Sequence, residues 1–230
     1  MKARFTTRRV PPRSVPAEPV TLVLYEDPLS PWCFVAEQRI RAALEEVGFA
    51  YELRIEPFPL RMEPRAPTAA ERRALARTAR RAAKEPEAAH TKPDLWLSKD
   101  APTTTVPALT ALAAARLQGA AYEEALRTAM RDAALVRGIN VTRRDVLYEL
   151  AQAVGLDPGK FAAALTSPST ERRVRGAFEE ALDKGIEHAP ALVIGDEWLV
   201  VGTKSAEEYR GVLRRYVAAK LGIPPARTVH

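Results

Sequence analysis

Cysteine is nearly absent from this chain. Cys33 is the only one in 230 residues, so no disulfide can close within the polypeptide, and the composition suits a reducing, cytoplasmic setting. Histidine is almost as scarce. His90, His188 and His230 stand far apart, and with one thiol beside them the chain lacks the ligands for a Cys/His zinc site, so no metal is expected. No apolar run reaches the length of a membrane span, and no membrane partner is expected. Residues 1–19, MKARFTTRRVPPRSVPAEP, carry basic side chains without the apolar stretch of a secretory signal and read as a flexible arm. Acidic residues fall short of basic ones: 29 Asp and Glu face 35 Lys and Arg, a net charge of +6. Much of the basic excess lies in ERRALARTARRAAKEPE, Glu71 to Glu87. No recognition-helix signature, RNA-binding aromatic motif or zinc spacing accompanies it. One reading of it is a nucleic-acid patch; the expected one is the solvated face of an Arg- and Ala-rich helix, with no nucleic-acid partner.

What is present is ordinary for a globular protein: 47% hydrophobic and 28% charged residues, in a chain long enough for one large domain or one domain with an insertion. Val20 to Tyr25 is a continuous apolar run with β-branched residues and predicts a buried strand. Asp27-Pro28 breaks it. Ser30 then offers a helix N-cap, with Pro31 at the first helical position. Ala36, Ile40, Ala43, Leu44 and Val47 form the apolar face of the helix that follows, and Gly48 stops it. Tyr51, Leu53 and Ile55 alternate with charged residues as a second strand.

From about Leu60 to Gly185 the pattern is helical, punctuated at Pro86, Pro102 to Pro107, Gly119, Gly138 to Asn140, Gly155 to Pro158 and Ser167-Pro168. The period then changes back. ALVI (191–194) and WLVV (198–201) flank Gly195-Asp196-Glu197 as a hairpin. Ser205 and Glu208 form a capping box for a last helix. Residues 20–59 and 186–222 are each too short to cover a sheet face alone. Together they predict an α/β domain with one four-stranded mixed sheet, interrupted by an all-α insertion over 60–185 and followed by a tail, 223–230.

The segment that carries the chemistry is Ser30-Pro31-Trp32-Cys33, at the mouth of the first helix. A strand, a short turn and two positions three apart at a helix N-terminus form the layout of a thioredoxin-like redox site. YEDPLSPWCF, VPALTALAAARLQG, GINVTRRDVLYELAQAVGLD and GIEHAPALVIGDEWLVVG, in that order, resemble the DsbA-like branch of the thioredoxin superfamily, and its cytoplasmic FrnE-like members in particular. The resemblance covers nearly the whole chain after residue 20. It implies a thioredoxin fold with a helical insertion, and a cis peptide at Ala189-Pro190 beside the site. In dithiol members of that family the position of Ser30 holds the nucleophilic cysteine, and Cys33 matches the resolving one. Glutathione transferase kappa and the 2-hydroxychromene-2-carboxylate isomerases, of the same broad fold, carry serine there and use it towards the glutathione sulfur.

Ser30 cannot ionise at neutral pH or form a disulfide, so a dithiol cycle is not expected. Three readings follow. The chain is a thiol-disulfide oxidoreductase homologue with monothiol or glutathione-linked chemistry at Ser30 and Cys33. Or it is a glutathione-dependent transferase or isomerase. Or it is a non-catalytic thioredoxin-fold module that binds an extended peptide beside Pro190. No cofactor is required in any of them, and the partner is glutathione or a protein or peptide thiol. Ser30 and Cys33 are the candidate catalytic residues. Pro31, Trp32, His188, Ala189 and Pro190 are the candidate substrate-binding ones. Trp32 is expected as an exposed apolar lip, Cys33 as partly buried, and Glu26 as a partly buried carboxylate near it.

Overall fold

The computed structural model describes residues 18–222. The expected N-terminal arm lies outside them except for Glu18 and Pro19, and so does the tail 223–230. Four strands, β1 (Val20–Glu26), β2 (Tyr51–Pro57), β3 (Ala191–Ile194) and β4 (Trp198–Val201), form one sheet in the order β2-β1-β3-β4. β1 and β2 pair in parallel, while β1 with β3 and β3 with β4 are antiparallel. The sheet is thus mixed, and the first crossover runs through α1 (Pro31–Glu45).

Strand alternation sends successive side chains to opposite faces. Leu22 and Leu24 meet Ile40, Ala43 and Leu44 of α1, with Leu213 and Tyr216 of α9 (Ala206–Lys220) beside them. Val23 and Tyr25 point the other way, against Phe178, Ala181 and Ile186. Leu22, Leu24, Ile40 and Leu213 are fully buried, each stabilising the fold by roughly 1.5–3 kcal/mol relative to an exposed position. The β3–β4 turn has Gly195 at φ 56° and Asp196 at φ 60°, the left-handed pair that a tight hairpin requires. Glycine is needed at 195 for a second reason: a Cβ there would lie 1.7 Å from the Tyr216 hydroxyl.

Between β2 and β3 the chain is helical: α2 (Ala69–Ala82), α3 (Asp94–Leu97), α4 (Val106–Arg116), α5 (Ala120–Arg131), α6 (Arg144–Ala153), α7 (Pro158–Leu165) and α8 (Pro168–Asp183). A π-helical turn, Asp132–Val136, prolongs α5. α4 is the buried centre of this group: Ala108, Leu109, Ala111, Leu112, Ala114 and Ala115 are all enclosed. Its alanines let α5 and α8 approach closely. α8 is shared, since Val174 belongs to this helical core while Ala181 and Phe178 cover the sheet. No described helix is long and apolar enough to cross a membrane.

Candidate functional site

β1 ends at Glu26, and α1 begins five residues later, at Pro31. Asp27 shapes the turn between them. One carboxylate oxygen accepts the Leu29 N–H at 2.8 Å, and the other accepts the Leu60 N–H at 2.8 Å. The Asp27 carbonyl accepts the Ser30 N–H at 3.0 Å. Asp27 therefore ties the approach to α1 to the segment that leaves β2. Ser30 caps α1: its Oγ accepts the Cys33 N–H at 3.2 Å, and Pro31 fills the first helical position without forfeiting a hydrogen bond.

The Cys33 thiol is fully buried. Burial first, and the negative charge of Glu26 second, push its pKa up to about 12. The Ser30 hydroxyl and the Asp27 backbone favour the thiolate and do not outweigh these two. The thiol is neutral at physiological pH and has no route to solvent, so neither requirement for a reactive cysteine is met. Ser30 keeps 6% exposure. Pro31 is buried, and Trp32 is half-buried rather than a free lip.

The other end of the site comes from the C-terminal part of the chain. The Ala189–Pro190 peptide is cis. Tyr25 pairs with Ala191, so Pro190 lies opposite Glu26, at the sheet end where α1 starts. The Pro190 carbonyl accepts the Gly202 N–H at 2.8 Å. One residue on, the Thr203 hydroxyl donates to the Trp32 carbonyl at 3.1 Å. Tyr209 of α9 holds this loop, donating to the Gly202 carbonyl and accepting from the Lys204 N–H. Ser30, Pro31, Trp32, Cys33, Ala189 and Pro190 thus converge on one end of the sheet. Ala189 is half-buried and Pro190 buried, while His188 points to solvent.

Behind Cys33 lies a group of charges. Glu26 is buried, more deeply than its position at a strand end suggests. It pairs with Arg131, and its other oxygen is 2.9 Å from the Arg127 Nε without a hydrogen bond between them. Arg131 also holds the buried Glu37 of α1 at 2.5 Å, and its guanidinium stacks on Phe34, 5.4 Å from the ring centre. Arg127 continues to Glu123 at 2.7 Å and to Glu124 at 2.6 Å. Burial alone would raise the Glu37 pKa, but Arg131 and Arg41 reverse this and hold it below the usual carboxylate range. Asp27 has no such cation, and its burial lifts its pKa from 3.8 to about 6, against the N–H groups that oppose the shift.

Sequence reasoning missed Asp27, Glu37, Arg127 and Arg131. A signal was there. Glu37 is one turn before Ile40 and two before Leu44, the core stripe of α1, and Arg127 and Arg131 sit beside Leu126 and Met130, the core stripe of α5. Charges at such positions need partners.

A four-stranded mixed sheet, a helix whose capped N-terminus lies at the same sheet end as a cis-proline, and a helical segment inserted before the closing hairpin define a thioredoxin-fold protein. The model of the DSBA-like thioredoxin domain matches residues 21–214, and the chain belongs to that family. Solved structures agree in fold. A Nitrosomonas europaea protein, provisionally assigned as a protein disulfide isomerase, superposes with a TM-score of 0.77 at 19% identity, over 88% of this chain and 99% of its own. The cytosolic disulfide reductase DsbM from Pseudomonas aeruginosa gives 0.66 at 20% identity, over 86% and 99%. A probable DsbA oxidoreductase from Streptomyces coelicolor gives 0.65 at 20%, over 92% and 94%. No curated protein matches the sequence.

Proposed function

We propose that this DsbA-like chain works with an external thiol, glutathione, at the N-terminus of α1, and that Ser30 is the hydrogen-bond donor to its sulfur. The observation that carries this reading is the state of Cys33. A thiol that is fully buried and pushed up to about 12 cannot serve as the attacking monothiol at neutral pH, which leaves the helix N-terminus and the Ser30 hydroxyl as the functional groups of the site. A helix N-terminus favours an anion through its free N–H groups and its partial positive charge. The Ser30 oxygen accepts from the Cys33 N–H, and its proton stays available to a thiolate. A cleft of about 210 Å³ lined by Phe34, Gln38, His90 and Arg131 opens one turn along α1 and offers room for the rest of a small peptide. DsbM from Pseudomonas aeruginosa, a match at 20% identity, has been solved with glutathione, which supports the choice of thiol.

Chemistry of this kind needs no second cysteine. The bound thiolate attacks an electrophilic carbon and the C–S bond forms. In transfer the leaving group then departs with the electron pair of the bond that breaks; in isomerisation the displaced pair moves into a conjugated acceptor, and its return breaks the C–S bond and releases the thiolate. In this reading the chain groups with the serine-bearing glutathione enzymes of the fold rather than with the dithiol oxidases, and a reducing, cytoplasmic compartment would supply the glutathione. One observation favours a second reading, a binding module without turnover: Ser30 is 94% enclosed and already serves as a cap.

Calorimetric titration with glutathione and with S-methylglutathione separates the two. The glutathione reading requires tighter binding of the free thiol than of its methylated form, a difference that rises with pH and disappears in Ser30→Ala. Equal binding of both, in both proteins, would overturn it in favour of the module. Loss of the cap is expected to cost Ser30→Ala about 1 kcal/mol of stability, so urea unfolding of the variant is measured alongside.

A further inference from the structure

The capping box of Thr68 and Glu71 starts α2, and its buried side, Ala76, Ala79 and Ala82, packs into the protein. The opposite side is a row of cations. At 100° per residue, Arg73, Arg77, Arg80 and Lys84 fall within about 60° of one another, and they follow the helix for about 16 Å. Lys84 stands just past the last turn of α2, and all four side chains are exposed, as is Arg81 beside them. The carboxylates nearest in sequence are committed elsewhere: Glu71 to Arg65, and Glu85 and Glu87 to Arg39. Among the described residues no ion pair reaches any of the five. The sequence shows a basic segment without a recognition motif. Only the fold shows that its charges stand in one line and go unneutralised.

We infer that this row is a binding surface for the phosphodiester backbone of a nucleic acid, independent of the site at Ser30. Three features select this partner. Three of the four positions in the row are arginine, whose planar fork takes phosphate oxygens in pairs. The exposed positions between them are Ala74, Thr78 and Arg81, so there is no aromatic or large aliphatic anchor of the kind that centres a protein–protein interface, and none on which a base could stack. The apolar side of the helix is already buried in the fold, so it has nothing to insert into a lipid surface. The surface reads charge and spacing without sequence preference.

The test uses the full chain and a fluorescein-labelled duplex of mixed sequence, followed by anisotropy from about 50 to about 200 mM salt. Four phosphate contacts predict a roughly hundredfold loss of affinity across that range, since each contributes a slope of about −0.9 in log K against log salt. The variant Arg73→Gln/Arg77→Gln/Arg80→Gln/Lys84→Gln is expected to lose most of that slope. A charge-matched control, Lys99→Gln/Lys160→Gln/Arg172→Gln/Lys184→Gln, removes four exposed cations elsewhere and is expected to keep it to within about one contact. Circular dichroism confirms that both variants stay folded. Equal loss in the two variants would show only the pull of the net charge and overturn the proposal. So would absence of binding at low salt, or an acidic polyglutamate peptide or anionic phospholipid vesicles competing as well as the duplex.

Discussion

Two turns of α1 solve the problem of burying polar groups in opposite ways. At the first turn, Ser30 and Cys33 are neutral, satisfied by a local cap, and closed off. At the second, Glu37 is charged and is held by a guanidinium from α5, Arg131, which reaches Glu26 at the same time. Two buried carboxylates of this region divide along the same line. Glu37 has cations facing it and its pKa falls, whereas Asp27 has only the Leu29 and Leu60 N–H groups and the Thr105 hydroxyl, and its pKa rises to about 6. The contrast shows that burial by itself does not decide ionisation: a facing opposite charge does. It also shows where the protein spends its charge. The helical segment is fastened to the sheet domain through ion pairs.

The largest break in this comparison comes from removing the shared cation. Arg131→Ala leaves Glu26 and Glu37 buried without their partner, and should cost about 3–5 kcal/mol, read as a lower midpoint in urea unfolding. Arg131→Ala combined with Glu26→Gln and Glu37→Gln should recover part of the loss, because no uncompensated charge then remains. If the single variant lost less than 1 kcal/mol, the network would be a surface-type pairing and not the fastening described above.

Asp27 sharpens the contrast through pH. Its folded pKa is raised, so the native state binds the proton more tightly than the unfolded chain. Its contribution to stability is full below about pH 4 and is lost as pH rises through about 6. Glu37 runs the other way, contributing above the ordinary carboxylate pKa and fading as pH falls. Unfolding measured at pH 7 and pH 4.5 should show wild type gaining on the order of 2 kcal/mol relative to Asp27→Asn at the lower pH. Parallel behaviour of the two proteins would mean that Asp27 does not change its charge in this window.

The smallest effect concerns the thiol. Cys33 should resist iodoacetamide at pH 8 in the folded protein and react promptly once urea unfolds it, and Cys33→Ala should cost only about 1 kcal/mol. Fast labelling of the native state would place an accessible thiolate at α1 and reopen monothiol chemistry there.

Most of the architecture was readable before any coordinates. The continuous apolar runs at 20–25, 191–194 and 198–201, the N-cap and proline at 30–31 and the capping box at Ser205 and Glu208 are local signals, and each sits where expected. The resemblance supplied the cis Ala189–Pro190 peptide, which no local propensity could give. The site was half legible. Ser30 as a cap follows from its type and place. The depth of Cys33 and Glu26 does not, since it depends on α5, a helix more than ninety residues later, delivering Arg127 and Arg131 behind them. Long-range ion pairs leave only an indirect trace in a sequence, as charges written into an apolar stripe.

The order of the sheet also has a meaning in time. β1 is an interior strand: Leu22 pairs with Leu53 on one side and with Ile194 on the other. During synthesis the first partner emerges soon after β1, but the second arrives only after the whole helical segment has been made. Until then one edge of β1 offers unpaired backbone along an apolar strand, the kind of edge that invites pairing with another chain. The helices between β2 and β3 are rich in local contacts and fold fast. The vulnerable interval therefore ends with the ribosome's delivery of a four-residue strand, and a slow or truncated translation past α8 would leave the molecule helical, compact and open at its centre.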